Sequence, residues 1–249
     1  MLINHLTSGS DGNAIIVDDG YSKLLLDAGV SYSKLAKWIR PSSLSGVLIT
    51  HEHGDHSKAV PELVRRGVRV YASKGSWEAL VSENNIPITV TSTLKHLDQR
   101  EIGTWIVMPF LVEHDAEEPM GFLFQSKETG KKGVYIADSA YVNYNFSGVT
   151  HWILEANYAD HILETSEDEE WLKDRIRQSH FSFDDLKKFF RDSDLSQTEE
   201  IHLVHLSSRN SDEQLFKNEI QKLTGAPVYT ISDSSRKDNG IGPKSQALK

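Results

Sequence analysis

Cysteine is absent from this chain. That excludes disulfides, thiolate zinc fingers and thiol nucleophiles, and it suits a reducing compartment. No run of about 18 apolar residues occurs, so no membrane span is expected. The start, "MLINHLTSGSDGN", lacks a basic stretch followed by an apolar one. No secretory signal is visible, and a cytoplasmic location is expected. Cations are in deficit: 27 Lys and Arg stand against 36 Asp and Glu, for a net charge of -9. Such a surface repels nucleic acid at long range and argues against tight, non-specific coating of DNA. It leaves room for a nuclease whose cleft holds metal ions, because the ions supply positive charge locally. No G-K-[ST] follows the glycines of "LTSGSDGN" (6–13), so that loop is not a Walker loop. The plain reading is a hairpin turn between two strands, a position that still allows it to border a cleft. The alternative is a loop that presents backbone amides to an anion.

What is present is enough chain, 249 residues, to bury a sizeable core. Apolar runs with alternation, "LINHLT", "NAIIVDD" and "SKLLLDAG", read as strands between Gly, Asp and Ser turns. "SYSKLAKWIR" places Leu35, Trp38 and Ile39 at helical spacing, with Ser31 or Ser33 as cap. "GVLIT" (46–50) is a short strand. "SKAVPELVRRG" reads as a helix with Pro61 in its first turn and Gly67 as its stop. "VRVYAS" is a strand and "KGSWEALVSENN" a helix. Strands return in "ITVTS", "TWIVMPFLV", "GFLFQS", "GVYIAD" and "HWILEAN". Helices follow in "EDEEWLKDRIRQ" and "SFDDLKKFFRD", then strand "EIHLVHLS", helix "DEQLFKNEIQKLTG" and strand "PVYTI". No linker and no internal repeat divides the run. The order predicts an α/β fold of two sheets with helices outside, four layers in all, as one domain over 1–232. Residues 233–249 read as a polar, flexible tail.

The chemistry gathers in "THEHGDH". His51, His53, Asp55 and His56 follow directly on an apolar strand, where α/β sheets place ligand sites. Neutral imidazole and carboxylate suit Zn, Mn and Fe. His51 and His53 can share one ion, while Asp55 and His56 serve a second, with Gly54 letting the backbone turn between the pairs. A metal pair needs further donors. His114 in "FLVEHDAEEPMGF", Asp138 in "GVYIADSAY" and His205 in "EIHLVHLSSRN" each stand where a strand gives way to polar loop. His202, three residues before His205, should face elsewhere. His180, in "RQSHFSFDDL" between two helices, is a candidate for protonating a leaving group. The alternative is a helix N-terminal histidine, with Ser182 capping the next helix. Ser207, Ser208, Arg209 and Asn210 follow His205 and can meet a phosphate, a task that suits Arg by its planar fork.

This set resembles the metallo-β-lactamase-fold hydrolases over about residues 1–232. "LLLDAG" with Asp27 resembles the first motif of that superfamily and "THEHGDH" the second. His114, Asp138 and His205 resemble the third, fourth and fifth. "TSGSDGNAIIV", "VEHDAEEPMGF", "EANY" and "HLSSRN" are similar to the WalJ-like (YycJ-like) branch, although that branch carries histidine after "EAN" where this chain has Tyr158. The resemblance implies an αββα sandwich with two divalent ions, Zn or Mn. It assigns His51, His53 and His114 to the first ion, and Asp55, His56 and His205 to the second. Asp138 bridges both, and Asp27 orients the histidine loop. The activity it implies is a phosphodiesterase, as a DNA exonuclease, in which a hydroxide between the ions attacks phosphorus and Asp55 orients it or takes its proton. Competing expectations are a hydrolase of a small nucleotide, such as a cyclic one, or of another small ester or lactone, and a non-catalytic binding module on the same scaffold.

Overall fold

A computed structural model describes residues 1–84, 86 and 92–233. One sheet has six strands in the order β1 (Leu2–Thr7), β2 (Ala14–Asp18), β3 (Lys23–Leu26), β4 (Gly46–Leu48), β5 (Val70–Ala72) and β6 (Ser92–Thr93). The other has seven, in the order β13 (Val228–Tyr229), β12 (Glu200–Val204), β11 (His151–Glu155), β10 (Lys132–Ile136), β9 (Met120–Ser126), β8 (Trp105–Leu111) and β7 (Arg100–Ile102). Both sheets share a plan. β1 to β3 pair antiparallel and β3 to β6 parallel. Likewise β7 to β10 pair antiparallel and β10 to β13 parallel.

Three apolar clusters separate four layers. The triplet Leu24, Leu25 and Leu26 shows why, since successive strand side chains face opposite ways. Leu24 and Leu26 meet Trp105, Phe122 and Tyr135 between the sheets. Leu25 packs outward with Leu35, Leu63 and Trp77. These belong to helices α1 (Tyr32–Trp38), α3 (Val60–Arg65) and α4 (Lys74–Asn84); the short α2 (Gly54–Ser57) precedes α3. On the far side Trp152 and Leu203 pack with Phe183, Leu186, Phe190 and Phe216. Those aromatic side chains come from α7 (Phe183–Asp192) and α8 (Glu213–Thr224), which follow α5 (Asp160–Thr165) and α6 (Glu170–Ser179). Phe183 and Phe216 stack with ring centroids 4.0 Å apart. Among the described residues no helix is long and apolar enough to cross a membrane.

Most elements lie where the sequence predicts them, including Ser31 capping α1, Ser182 capping α7 and Gly225 ending α8 in a left-handed turn. The expected helix from Ser57 is broken. Ser57 instead ends α2, and Ala59 donates its amide to Ala28 O (2.9 Å) before α3 starts at Val60 with Pro61 in its first turn. Strand β7 and helix α5 were not expected; both are short. "ITVTS" is described only at Ser92, with the rest outside the described residues. Asp233, assigned to the tail, still accepts from Lys217 Nζ (2.6 Å) and Thr230 N (2.9 Å). The remainder of 233–249 lies outside the described residues.

Candidate metal centre

Every donor singled out in the sequence sits just past a strand. Asp27 follows β3, the 51–56 run follows β4, His114 follows β8, Asp138 follows β10 and His205 follows β12. The loops from the two sheets meet over one cleft of about 620 Å³. The backbone there is held against its preferences. Asp27, Asp138 and His205 adopt φ of 57, 48 and 50, and among the described residues Leu97 is the only other non-glycine at positive φ. Such conformations cost energy and concentrate at functional sites.

The expected donor atoms form two groups, and a third, of Asp138, Glu155, His180 and His205, overlaps the second. His51 Nε2 lies 3.1 Å from His53 Nδ1, which lies 3.3 Å from His114 Nε2. In the second group His56 Nε2 is 3.5 Å from Asp55 Oδ2, and His205 Nε2 is 3.6 Å from that same oxygen. Asp138 Oδ2 joins both: it stands 3.3 Å from His56 Nε2, 3.7 Å from His114 Nε2 and 3.9 Å from His51 Nε2. Two donors on one ion at bond lengths of about 2.0–2.1 Å in tetrahedral array sit about 3.4 Å apart. The spacings bracket that value, and the nitrogen and carboxylate donors are those a borderline divalent ion takes. The residues fit a divalent metal site.

Hydrogen bonds fix which imidazole nitrogen faces the cleft. Ser179 O can only accept, so His114 Nδ1, 2.9 Å away, carries its proton and leaves Nε2 bare. Asp27 does the same for His56, taking Nδ1–H at 2.8 Å. The Thr50 hydroxyl donates to Asp27 (3.1 Å) and therefore accepts from His51 Nδ1 at 3.0 Å. Asp27 also accepts from Thr50 N (2.8 Å) and Tyr135 OH (2.7 Å). That fully buried carboxylate thus ties the histidine run to β10 of the opposite sheet, the orienting task expected of such a partner.

The glycine the site requires is not Gly54, whose backbone is helical and where an added Cβ would meet nothing. It is Gly29 of "LLLDAG". A Cβ there would stand 1.6 Å from Asp55 O, so any side chain would push the donor turn out of place.

The residues that sequence reasoning missed are those that hold the donors. Asn13, from the 6–13 loop, places Nδ2 3.1 Å from His56 Nε2. In the same loop the Ser8 hydroxyl accepts from His205 N (2.7 Å), so this turn does border the cleft. Glu155 ends β11 fully buried. Its Oε1 takes His180 Nδ1–H at 2.7 Å and lies 2.8 Å from His205 Nδ1. Its Oε2 accepts from Ser139 N and Phe181 N, both at 3.1 Å. The signal was a carboxylate inside an otherwise apolar strand, "HWILEAN". His180 lines the cleft, with its ring 5.7 Å from that of His114 and 5.3 Å from that of His205. It closes the C-terminal end of α6 rather than opening a helix, and Ser182 caps α7 as expected. His202 turns away from the cleft, with Nδ1 2.9 Å from His5 Nε2.

Ser207, Ser208, Arg209 and Asn210 line the cleft, as does Arg175 from α6. Asn210 is buried and directs Nδ2 to Asp168 (3.3 Å). Arg209 is exposed and pairs loosely with the same carboxylate (3.2 Å). Arg175 pairs with Asp115 (3.2 Å), beside His114.

Without an ion, protons sit among the donors. Burial disfavours charge on His56 and His205, yet the Asp138 carboxylate outweighs it and raises both well above an ordinary histidine. Asp138 is held well below the usual carboxylate range: burial opposes this, but His205 and His56 prevail. His51 moves the other way, lowered by burial and then by the charge on His56. A metal must therefore displace protons from His56 and His205. Apparent affinity is expected to rise about tenfold per pH unit for each proton displaced. Competition against a chromophoric chelator at several pH values measures this. A pH-independent affinity would show that these two imidazoles are not donors.

Comparisons with known proteins agree with this geometry. Residues 22–205 match the model of the β-lactamase superfamily domain. The chain is 31% identical to exodeoxyribonuclease WalJ of Streptococcus pneumoniae over 253 residues, covering 95% of this chain and 89% of the relative. It is 31% identical to exodeoxyribonuclease YycJ of Bacillus anthracis over 242 residues, covering 92% and 91%. Among solved structures, the metallo-β-lactamase fold protein YhfI of Bacillus subtilis superposes with a TM-score of 0.69 at 16% identity, covering 92% of this chain and 95% of that one.

Proposed function

Because the chain belongs to the β-lactamase superfamily, in the branch of WalJ and YycJ, we propose that it is a metal-dependent phosphodiesterase that degrades DNA as an exonuclease. The observation that carries this reading is the position of Asp138. One carboxylate oxygen lies within 3.9 Å of donor atoms from both groups, the arrangement a pair of ions needs. His51, His53 and His114 would hold one divalent ion, Zn or Mn, and Asp55, His56 and His205 the other, with Asp138 between them. Bound there, the ions supply Lewis acidity that makes water nucleophilic near neutral pH and neutralise charge on the phosphate.

The chain's own side chains do the rest. Before an ion binds, hydrogen bonds from His205 and His56 overcome the burial of Asp55 and hold its carboxyl well below the usual carboxylate range; bound ions would keep it ionised in their place. Its position at the cleft lets it orient the attacking water and take its proton. His180 donates a proton to the departing oxygen. Burial works against its charged form, but the Glu155 carboxylate wins and raises its pKa, which favours the imidazolium that such a step needs. Glu155 is a positioning residue that fixes His180 through Nδ1. Arg175, Arg209 and Ser207 stand on the rim where substrate phosphates would pass. A cysteine-free chain fits work in the cytoplasm.

Single-stranded DNA, cyclic mononucleotides and a chromogenic phosphodiester, each with Mn and with Zn, test the assignment. Stepwise release of mononucleotides from an end-labelled strand is expected. Turnover of cyclic nucleotides without loss of the DNA would replace this reading with hydrolysis of small nucleotides.

A further inference from the structure

A second concavity, of about 220 Å³, opens between the 139–145 loop and α7. Tyr141, Tyr144 and Phe189 give it aromatic walls, and Asn143 and Asn145 add amides. Tyr144 is braced by Phe110 at 5.0 Å between ring centroids, whereas Tyr141 is 54% exposed with no core to fill.

The concavity is tethered to the metal centre at both ends. Ser139 donates its amide to Glu155 Oε2 (3.1 Å) and its hydroxyl to Tyr141 O (2.7 Å), which holds the loop over the Glu155 carboxylate. Phe181, which lines the concavity, donates its amide to that same oxygen and directly follows His180. Tyr141 is three residues from Asp138, so their Cα atoms are at most about 11 Å apart. About three nucleotides of stacked strand cover that distance, and fewer when stretched.

Its charge selects the occupant. Asp185 and Asp192 face one cation, Lys188, so a phosphate would be repelled. A neutral planar ring that carries N–H donors for the carboxylates and acceptors for the amides is accommodated, with a tyrosine face to stack on. We propose that this concavity is a nucleobase subsite. It receives a base of the single strand on the leaving-group side of the scissile phosphate, the side of His180, and stacks it against Tyr141. The proposal rests on the exonuclease reading above.

Oligonucleotides carrying one abasic residue, moved stepwise past the scissile phosphate, test it. With the unsubstituted protein, one position of the abasic residue should raise KM roughly 5- to 150-fold, the range of base–aromatic stacking. Tyr141→Ala should raise KM on the intact strand by the same order and lose the response to the abasic residue. Tyr141→Phe, which keeps the ring, should retain that response. Tyr141→Ala with an unchanged KM and an unchanged abasic response would overturn the subsite while leaving the nuclease reading in place. A protein that degrades no oligonucleotide with either metal would remove both.

Discussion

Asp138→Asn is expected to lower kcat/KM on single-stranded DNA by at least about a thousandfold, with loss of bound metal. Asparagine is the informative replacement. It keeps the size and tolerates the left-handed backbone that Asp138 adopts, where alanine would add strain. What it removes is the charge. Asp138 is the anion shared by both donor groups and the reason His56 and His205 hold their protons. A single fixed electrostatic contact at a reaction centre is worth about two to three orders of magnitude. Asp138 serves two ions, so the loss should be no smaller. Metal content and kcat/KM measured together check it. Activity within tenfold of the unsubstituted protein would mean that the two donor groups do not work as a pair.

His180→Gln is expected to lower kcat on DNA by about 10²- to 10⁴-fold, the range of general acid catalysis, without loss of metal. The leaving group decides the interpretation. A p-nitrophenyl ester of thymidine monophosphate departs as a stable phenolate, so it should lose less than tenfold. The pH profile gives a second readout. The acid form of His180 is required, so activity falls as pH rises through its raised pKa. Glu155→Gln removes what raises that pKa and should move the alkaline limb to lower pH. Asp138, Glu155, His180 and His205 also form a donor group of their own. Equal loss on both substrates together with lost metal would assign His180 to metal binding instead.

All seven candidate donors could be singled out in the sequence because each carries a local mark, and the fold gathers them around one cleft. Four crowd into six residues after a short strand, and the other three stand where an apolar run turns polar. What was illegible depends on sheet order. Glu155 meets His180, 25 residues on, and His205, 50 residues on. His205 arrives because β11 lies beside β12, and His180 because the 180–182 segment pairs with residues 157–158; no short window of sequence contains either neighbour relation. Thr50, just past β4, and Tyr135, in β10, were silent because a lone hydroxyl in an apolar run has no periodicity to betray it. The demand for glycine was placed at Gly54 because a turn was visible there. The real constraint, Gly29 against Asp55 O, is a contact between distant segments. Short elements such as β7 and α5 escaped because three to six residues hold too little pattern.

The donors also divide by origin. The 51–56 run belongs to the six-stranded sheet, while His114, Asp138 and His205 belong to the seven-stranded one. Any ion held by either group therefore rivets one half of the sandwich to the other. In a chain with no covalent cross-link, the cofactor is a clamp on the architecture as well as a reagent. Whatever withdraws it loosens the seam between the halves at the same moment that it silences the chemistry.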